Sequence, residues 1–134
     1  MIAKTMTYEN YDGLEITETF YFNLTRAELA EMEYEVTGGF QNYIQTIIDG
    51  KDIPAIMRAY KKIICSSYGV KSPDGRRFIK NEKVLDDFLA SPAYSMLYME
   101  MIEYPEKAAE FVNGIVPKQK AAQPASNPSL YPVQ

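Results

Sequence analysis

The sequence predicts an α+β fold: an N-terminal β-hairpin followed by a compact bundle of about five or six short helices, with a flexible C-terminal tail. Three observations predict it. Residues 4–22 alternate around a turn centred on Asp12-Gly13. Beyond residue 24, apolar side chains recur at helical spacing, in runs punctuated by capping residues, Gly and Pro. The 134-residue chain is 46% hydrophobic and 24% charged, enough for one domain with a core of its own.

In the hairpin, Thr5, Thr7 and Tyr8 suit a first strand, and Ile16, Thr17 and Thr19 to Phe22 a second. Glu9 to Gly13 supplies the turn. On the second strand Leu14, Ile16, Phe20 and Phe22 share one face, which Glu18 interrupts. A lone hairpin is marginal in water, so this face has to lie on helices or on another subunit's sheet.

Thr25 to Leu29 forms a complete helix start: Thr25 is the cap, Glu28 closes a capping box, and Leu24 with Leu29 forms a hydrophobic staple. Gly38-Gly39 ends that helix. The next carries Phe40, Tyr43, Ile44, Ile47 and Ile48 on one face and stops at Gly50. Asp52 caps a third helix, roughly 53–67, whose stripe of Ile53, Ile56, Met57, Tyr60, Ile63, Ile64 and Ser67 is the most apolar in the chain. We expect it to centre the core, with Arg58, Lys61 and Lys62 off the stripe.

Asn81 caps a helix with Val84, Leu85, Phe88 and Leu89; Ser91-Pro92 and Tyr104-Pro105 each start another. Gly114 stands where a helix-ending glycine is expected. We place one domain at 1–116, with the hairpin at about 4–22 and helices at about 25–113. From Pro117 to Gln134 the chain holds four prolines and no acid, and we expect a flexible Pro/Ala-rich tail there.

Composition narrows the function classes. The net charge of −4 argues against a duplex nucleic-acid binder. No apolar run approaches the roughly 18 residues of a membrane span, and the first residues lack a signal-peptide pattern. Histidine is absent, so the commonest general base and a favoured zinc ligand are missing. No cofactor, metal site or catalytic group is implied, and we expect no enzyme. The acid pairs Asp86-Asp87 and Asp49/Asp52 read as solvated surface or caps. Cys65 reads as a buried structural thiol, and a single cysteine fits a reducing cytoplasm.

Between the two helical halves lies Tyr68 to Lys80. Gly69 is placed to end the helix before it in a left-handed conformation, and Ser72-Pro73-Asp74-Gly75 is a strong turn signal. The loop is either a plain connector with solvated charges or a presented surface that exposes Arg76 and Arg77 and anchors through Phe78 and Ile79. Charge is uneven along the chain. Residues 9–35 are acidic apart from Arg26, and residues 51–83 hold nine Lys or Arg against three acids. This reads as two solvated faces or as a bipolar molecule able to associate with itself or with an acidic partner. Tyr94, Met96, Tyr98, Met99 and Met101 crowd more than one face of a short helix, so some are exposed or covered by a partner. The candidate partner-binding residues are Arg76, Arg77, Lys80, Tyr94, Tyr98 and Met99.

Ser67-Tyr68-Gly69, Lys71-Ser72 and Asp74 to Lys80 resemble the tail assembly chaperones of long-tailed (siphovirus-type) bacteriophages. Thr19 to Leu29 is similar to that family's opening and Ala109 to Pro117 to its close, so the resemblance runs from about Thr19 to Pro117. It implies a chaperone that binds the tape measure protein while the tail tube polymerises, works in the host cytoplasm and is absent from the mature virion. It also implies contact with the tail tube protein, self-association, and a longer form made by ribosomal frameshifting, with Lys118-Gln119-Lys120 as a site for the slip. The alternative is a structural virion component, a tail-tube or head–tail joining subunit whose hairpin joins a neighbour's sheet.

Overall fold

The computed structural model describes residues 1–35 and 37–117. The tail expected from Pro117 onward lies, beyond that residue, outside the described residues. Strand β1 (Ile2–Glu9) pairs antiparallel with β2 (Glu15–Phe22) along its whole length. Helices α1 (Arg26–Glu35), α2 (Gly39–Asp49) and α3 (Ile53–Ser67) follow. Then β3 (Tyr68–Lys71) and β4 (Phe78–Ile79) form a second hairpin, before α4 (Glu82–Leu89), α5 (Pro92–Glu103) and α6 (Pro105–Ile115). The sheet order is β1-β2-β3-β4, and every pairing is antiparallel. The α+β class, the N-terminal hairpin and the six helices match the expectation from sequence.

The caps work as their residue types dictate. The Thr25 amide donates to Glu28 Oε1 at 2.8 Å, and the Glu28 amide donates to Thr25 Oγ1 at 3.1 Å. Asp52 accepts from the Ala55 amide and Asn81 from the Val84 amide. Gly38, Gly39 and Gly50 all have positive φ at the helix breaks. Ser91 differs: its hydroxyl donates back to the Phe88 carbonyl at 2.7 Å instead of capping α5.

The core gathers around the end of β2. Phe22 is fully buried, and its ring meets Phe111 of α6 at 5.0 Å, Tyr68 of β3 at 5.6 Å and Phe88 of α4 at 5.7 Å between centroids. Tyr68 and Phe88 stack at 4.2 Å. Ile63 and Ile64 of α3, Leu97 and Met101 of α5 and Ile115 of α6 are buried with them. Ser67, also fully buried, satisfies its hydroxyl on the Ile63 carbonyl at 2.7 Å. Of the expected staple pair, Leu24 belongs to this cluster and the partly buried Leu29 packs against it.

Three expectations need correcting. The stretch after α3 is a hairpin, not an irregular connector: Tyr68 takes extended backbone and β3 pairs with β2 through Tyr21–Gly69 and Phe22–Tyr68. Gly69 therefore does not end α3 in a left-handed turn. It is a buried strand residue covered by the Phe78 ring, and a Cβ there would stand 2.6 Å from Phe78 Cε2. Gly114 likewise lies within the last turn of α6, where a Cβ would stand 2.9 Å from Ile2 Cδ1, so it admits β1 rather than ending the helix. The third correction concerns the apolar stripes. Ile48 of α2 and Ile53 and Met57 of α3 are exposed by 68%, 58% and 40%, while Ile56, Tyr60, Ile63 and Ile64 of α3 face the core, so not every residue of the apolar stripes is covered.

Two stability measurements test this packing. Phe22→Ala is expected to cost about 3–5 kcal/mol and Ile63→Ala about 2–5 kcal/mol in urea melts, against about 1 kcal/mol for Thr25→Ala. A cap mutant as damaging as Phe22→Ala would place the core elsewhere. Gly69→Ala is expected to cost about 1–3 kcal/mol by forcing the Phe78 ring aside. The Gly69→Ala/Phe78→Ala double mutant should be less destabilised than the sum of its two parts. Strict additivity would mean that Gly69 is needed for its backbone and not for ring packing.

Candidate partner-binding site

The candidate residues fall into three places. Arg76 and Arg77 lie in the turn between β3 and β4, which is rigidly built. Ser72 Oγ donates to Asp74 Oδ1 at 2.7 Å, the Arg76 amide donates to the same carboxylate oxygen at 3.0 Å, and the Arg77 amide donates to Ser72 Oγ at 3.0 Å. The Ser72 amide closes the turn on the Arg77 carbonyl at 2.9 Å. The Ser72 hydrogen bond, aided by the Arg76 amide, holds the Asp74 carboxyl below its ordinary range, so the turn keeps its anion further into acid than a free aspartate would. Both arginine side chains are exposed, and among the described residues neither has a carboxylate within ion-pair distance.

Lys80 has a different place. Its ammonium donates to the Asn23 carbonyl at 2.7 Å, the Ser66 carbonyl at 2.8 Å and Glu28 Oε2 at 2.7 Å. Three donors meet three acceptors, so the charge is committed to the fold: it joins the β2–α1 junction, the end of α3 and the capping box. This side chain is only 21% exposed.

Tyr94, Tyr98 and Met99 are on α5. The two tyrosine rings lie 5.8 Å apart, and the Tyr98 hydroxyl donates to the Met57 carbonyl of α3 at 3.2 Å. The tyrosines therefore border a seam between α3 and α5. Burial in that seam, with Cys65 and then Tyr98 as lesser causes, pushes the Tyr94 phenol up to about 12. Burial also raises the Cys65 thiol, while Lys61 and Lys62 pull it partly back. Cys65 is half-buried, more accessible than expected from the sequence. Met99 and Met96 are both more than 40% exposed, while Met101 is fully buried. The crowding on α5 thus resolves into one buried face and one open one.

Sequence reasoning missed Ile53, Met57 and Lys61 as part of this surface. Ile53, Met57, Lys61 and Cys65 stand on successive turns of α3. The available signal was Lys61: a lysine on the same line as Met57 marks the edge of an apolar stripe rather than its centre. Among the described residues no group of three His, Cys, Asp or Glu could hold a metal ion, and no helix is long and apolar enough to cross a membrane.

This geometry separates structural from available charge, and melting curves can check the division. Lys80→Met leaves two backbone carbonyls and a carboxylate without their donor, and is expected to cost about 1–3 kcal/mol. Arg76→Ala/Arg77→Ala is expected to change stability by less than about 0.5 kcal/mol. Similar losses in the two variants would mean that the arginines are structural.

A family model described as phage tail assembly chaperone matches residues 1–130. No curated protein and no solved structure matches the chain. A match of that extent covers both hairpins, all six helices and both candidate surfaces: the chain belongs to the phage tail assembly chaperone family.

Proposed function

We propose that this chain is a non-catalytic chaperone that binds the tape measure protein in the host cytoplasm, assists assembly of the tail tube around it, and is left out of the mature virion. The observation that carries this reading is the open apolar and aromatic border of α3 and α5, with Ile53, Met57 and Met99 exposed and Tyr98 at its edge. In a tail assembly protein such a surface suits an elongated helical client whose own apolar side chains would otherwise aggregate. The Arg76–Arg77 turn is a second contact, toward the client, the tail tube protein or another copy of this chain. Self-association through unlike charges belongs to the same reading, as does a longer frameshifted form with the slip near Lys118 to Lys120.

Co-expression tests it. The tape measure protein should stay soluble and co-purify with this chain, and Arg76→Ala/Arg77→Ala should weaken the capture without unfolding the chaperone. Mass spectrometry of purified particles should miss the chain. Many copies per particle would make it a structural tail or joining subunit instead.

A further inference from the structure

The exposed apolar side chains of α3 are aligned, and so are its cations. Ile53, Met57, Lys61 and Cys65 make one line along the helix, about 18 Å from end to end at 1.5 Å per residue. Tyr98 and Tyr94 border it from α5. Arg58 and Lys62 stand one residue beyond Met57 and Lys61, on the solvent side, and Lys51 precedes the helix. Lys51, Arg58, Lys61 and Lys62 are all exposed, and among the described residues none has a carboxylate within ion-pair distance. α3 itself carries no acid; Asp49 ends α2, and Asp52 is engaged as the cap of α3. The result is a line about three turns long, apolar at Ile53 and Met57 and basic at Lys61, with further uncompensated cations on its solvent side.

We infer that the α3/α5 seam is a groove for an amphipathic helix whose flank toward α3 is acidic. A groove between two helices offers side-chain pockets and no free backbone, so it takes a helix rather than a strand. Met57, exposed beside Tyr98, adapts to the shape of the incoming side chains. The cations select the charge of the client's flank and set which way it lies. This rests on the client-binding reading above, and it specifies which segments of the client are held: apolar stripes flanked by Asp or Glu, not by Lys or Arg.

The test uses the full chain, two designed helical peptides and the co-expressed tape measure protein. The peptides share one apolar stripe and differ only in flanks of Glu or Lys. The Glu peptide should bind roughly tenfold tighter at low salt, and about 0.5 M salt should shrink that ratio. Met57→Glu should weaken the Glu peptide and the tape measure protein together. Lys61→Glu/Lys62→Glu should invert the peptide preference, and since both side chains are exposed this variant carries the test even if Met57→Glu misfolds. Equal binding of the two peptides, or undiminished capture of the tape measure protein by the charge-reversed variant, overturns the groove and leaves the chaperone reading standing. No capture by the wild type fails that reading instead. If light scattering shows Lys61→Glu/Lys62→Glu abolishing self-association while client capture persists, the seam is a contact between copies and the inference falls.

Discussion

The fold depends on burying one ring, Phe22, where β2 ends. Rings from α4, α6 and β3 reach it from distant parts of the chain, with the nearest centroid 5.0 Å away. The residues next to it extend the constraint to the backbone. The Asn23 amide donates to the Ser67 carbonyl at 2.7 Å, and the Leu24 amide donates to the Ile115 carbonyl at 2.8 Å. A buried chain segment that leaves a strand must find partners for its amides, and here they are the last turns of α3 and α6. Lys80, just after β4, then takes the Asn23 carbonyl, so the junction also holds the segment that leads into α4.

Concentrating the core at that junction has a cost at the other end of α3. Ile53 in the first turn and Met57 at the edge of the stripe stay exposed, although Ile56 between them packs against the core with Tyr60, Ile63 and Ile64. The first hairpin is similarly only half supported. β3 pairs with β2 at Tyr21 and Phe22 alone, and the strands beyond form a ribbon. Across it Thr5 faces Thr19 and Thr7 faces Thr17 through hydroxyl hydrogen bonds of 2.9 and 2.8 Å. A molecule built this way offers apolar helix surface without loosening its core.

Charge follows the same division. Lys80 and Lys4 are partly buried, and each is matched by a carboxylate, Glu28 and Glu100, at 2.7 and 2.8 Å. Those pairs join elements far apart in sequence. The remaining cations of α3 and of the β3–β4 turn stand in water, where an ion pair within the chain would add little and a partner's carboxylate can still be met. The rigid Ser72–Asp74 turn matters for this reason: it fixes the backbone under two arginines, so binding through them has less chain entropy to lose.

The sequence by itself determined the local features. Thr25 with Glu28, Asp52 and Asn81 satisfy amides three residues away, and Asp12-Gly13 turns the chain within its own neighbourhood, so their residue types are enough. The exposed Arg76 and Arg77 were legible for the same reason, because the turn that displays them is built from adjacent residues. Tertiary structure alone decided the rest. Tyr68 to Lys71 is too short and too mixed to read as a strand, and it becomes one because β2 presents an open edge at Tyr21 and Phe22. Gly69 and Gly114 look like helix terminators and are contact points for Phe78 and Ile2, side chains brought there by pairing and packing. Lys80 looks like one more cation of a basic loop until three acceptors from separate segments surround it. Met57 and Ile53 have the spacing of core residues, and periodicity says which side of a helix is apolar but not how much of that side its neighbours cover. That cover is a property of the assembled fold and not of any one segment.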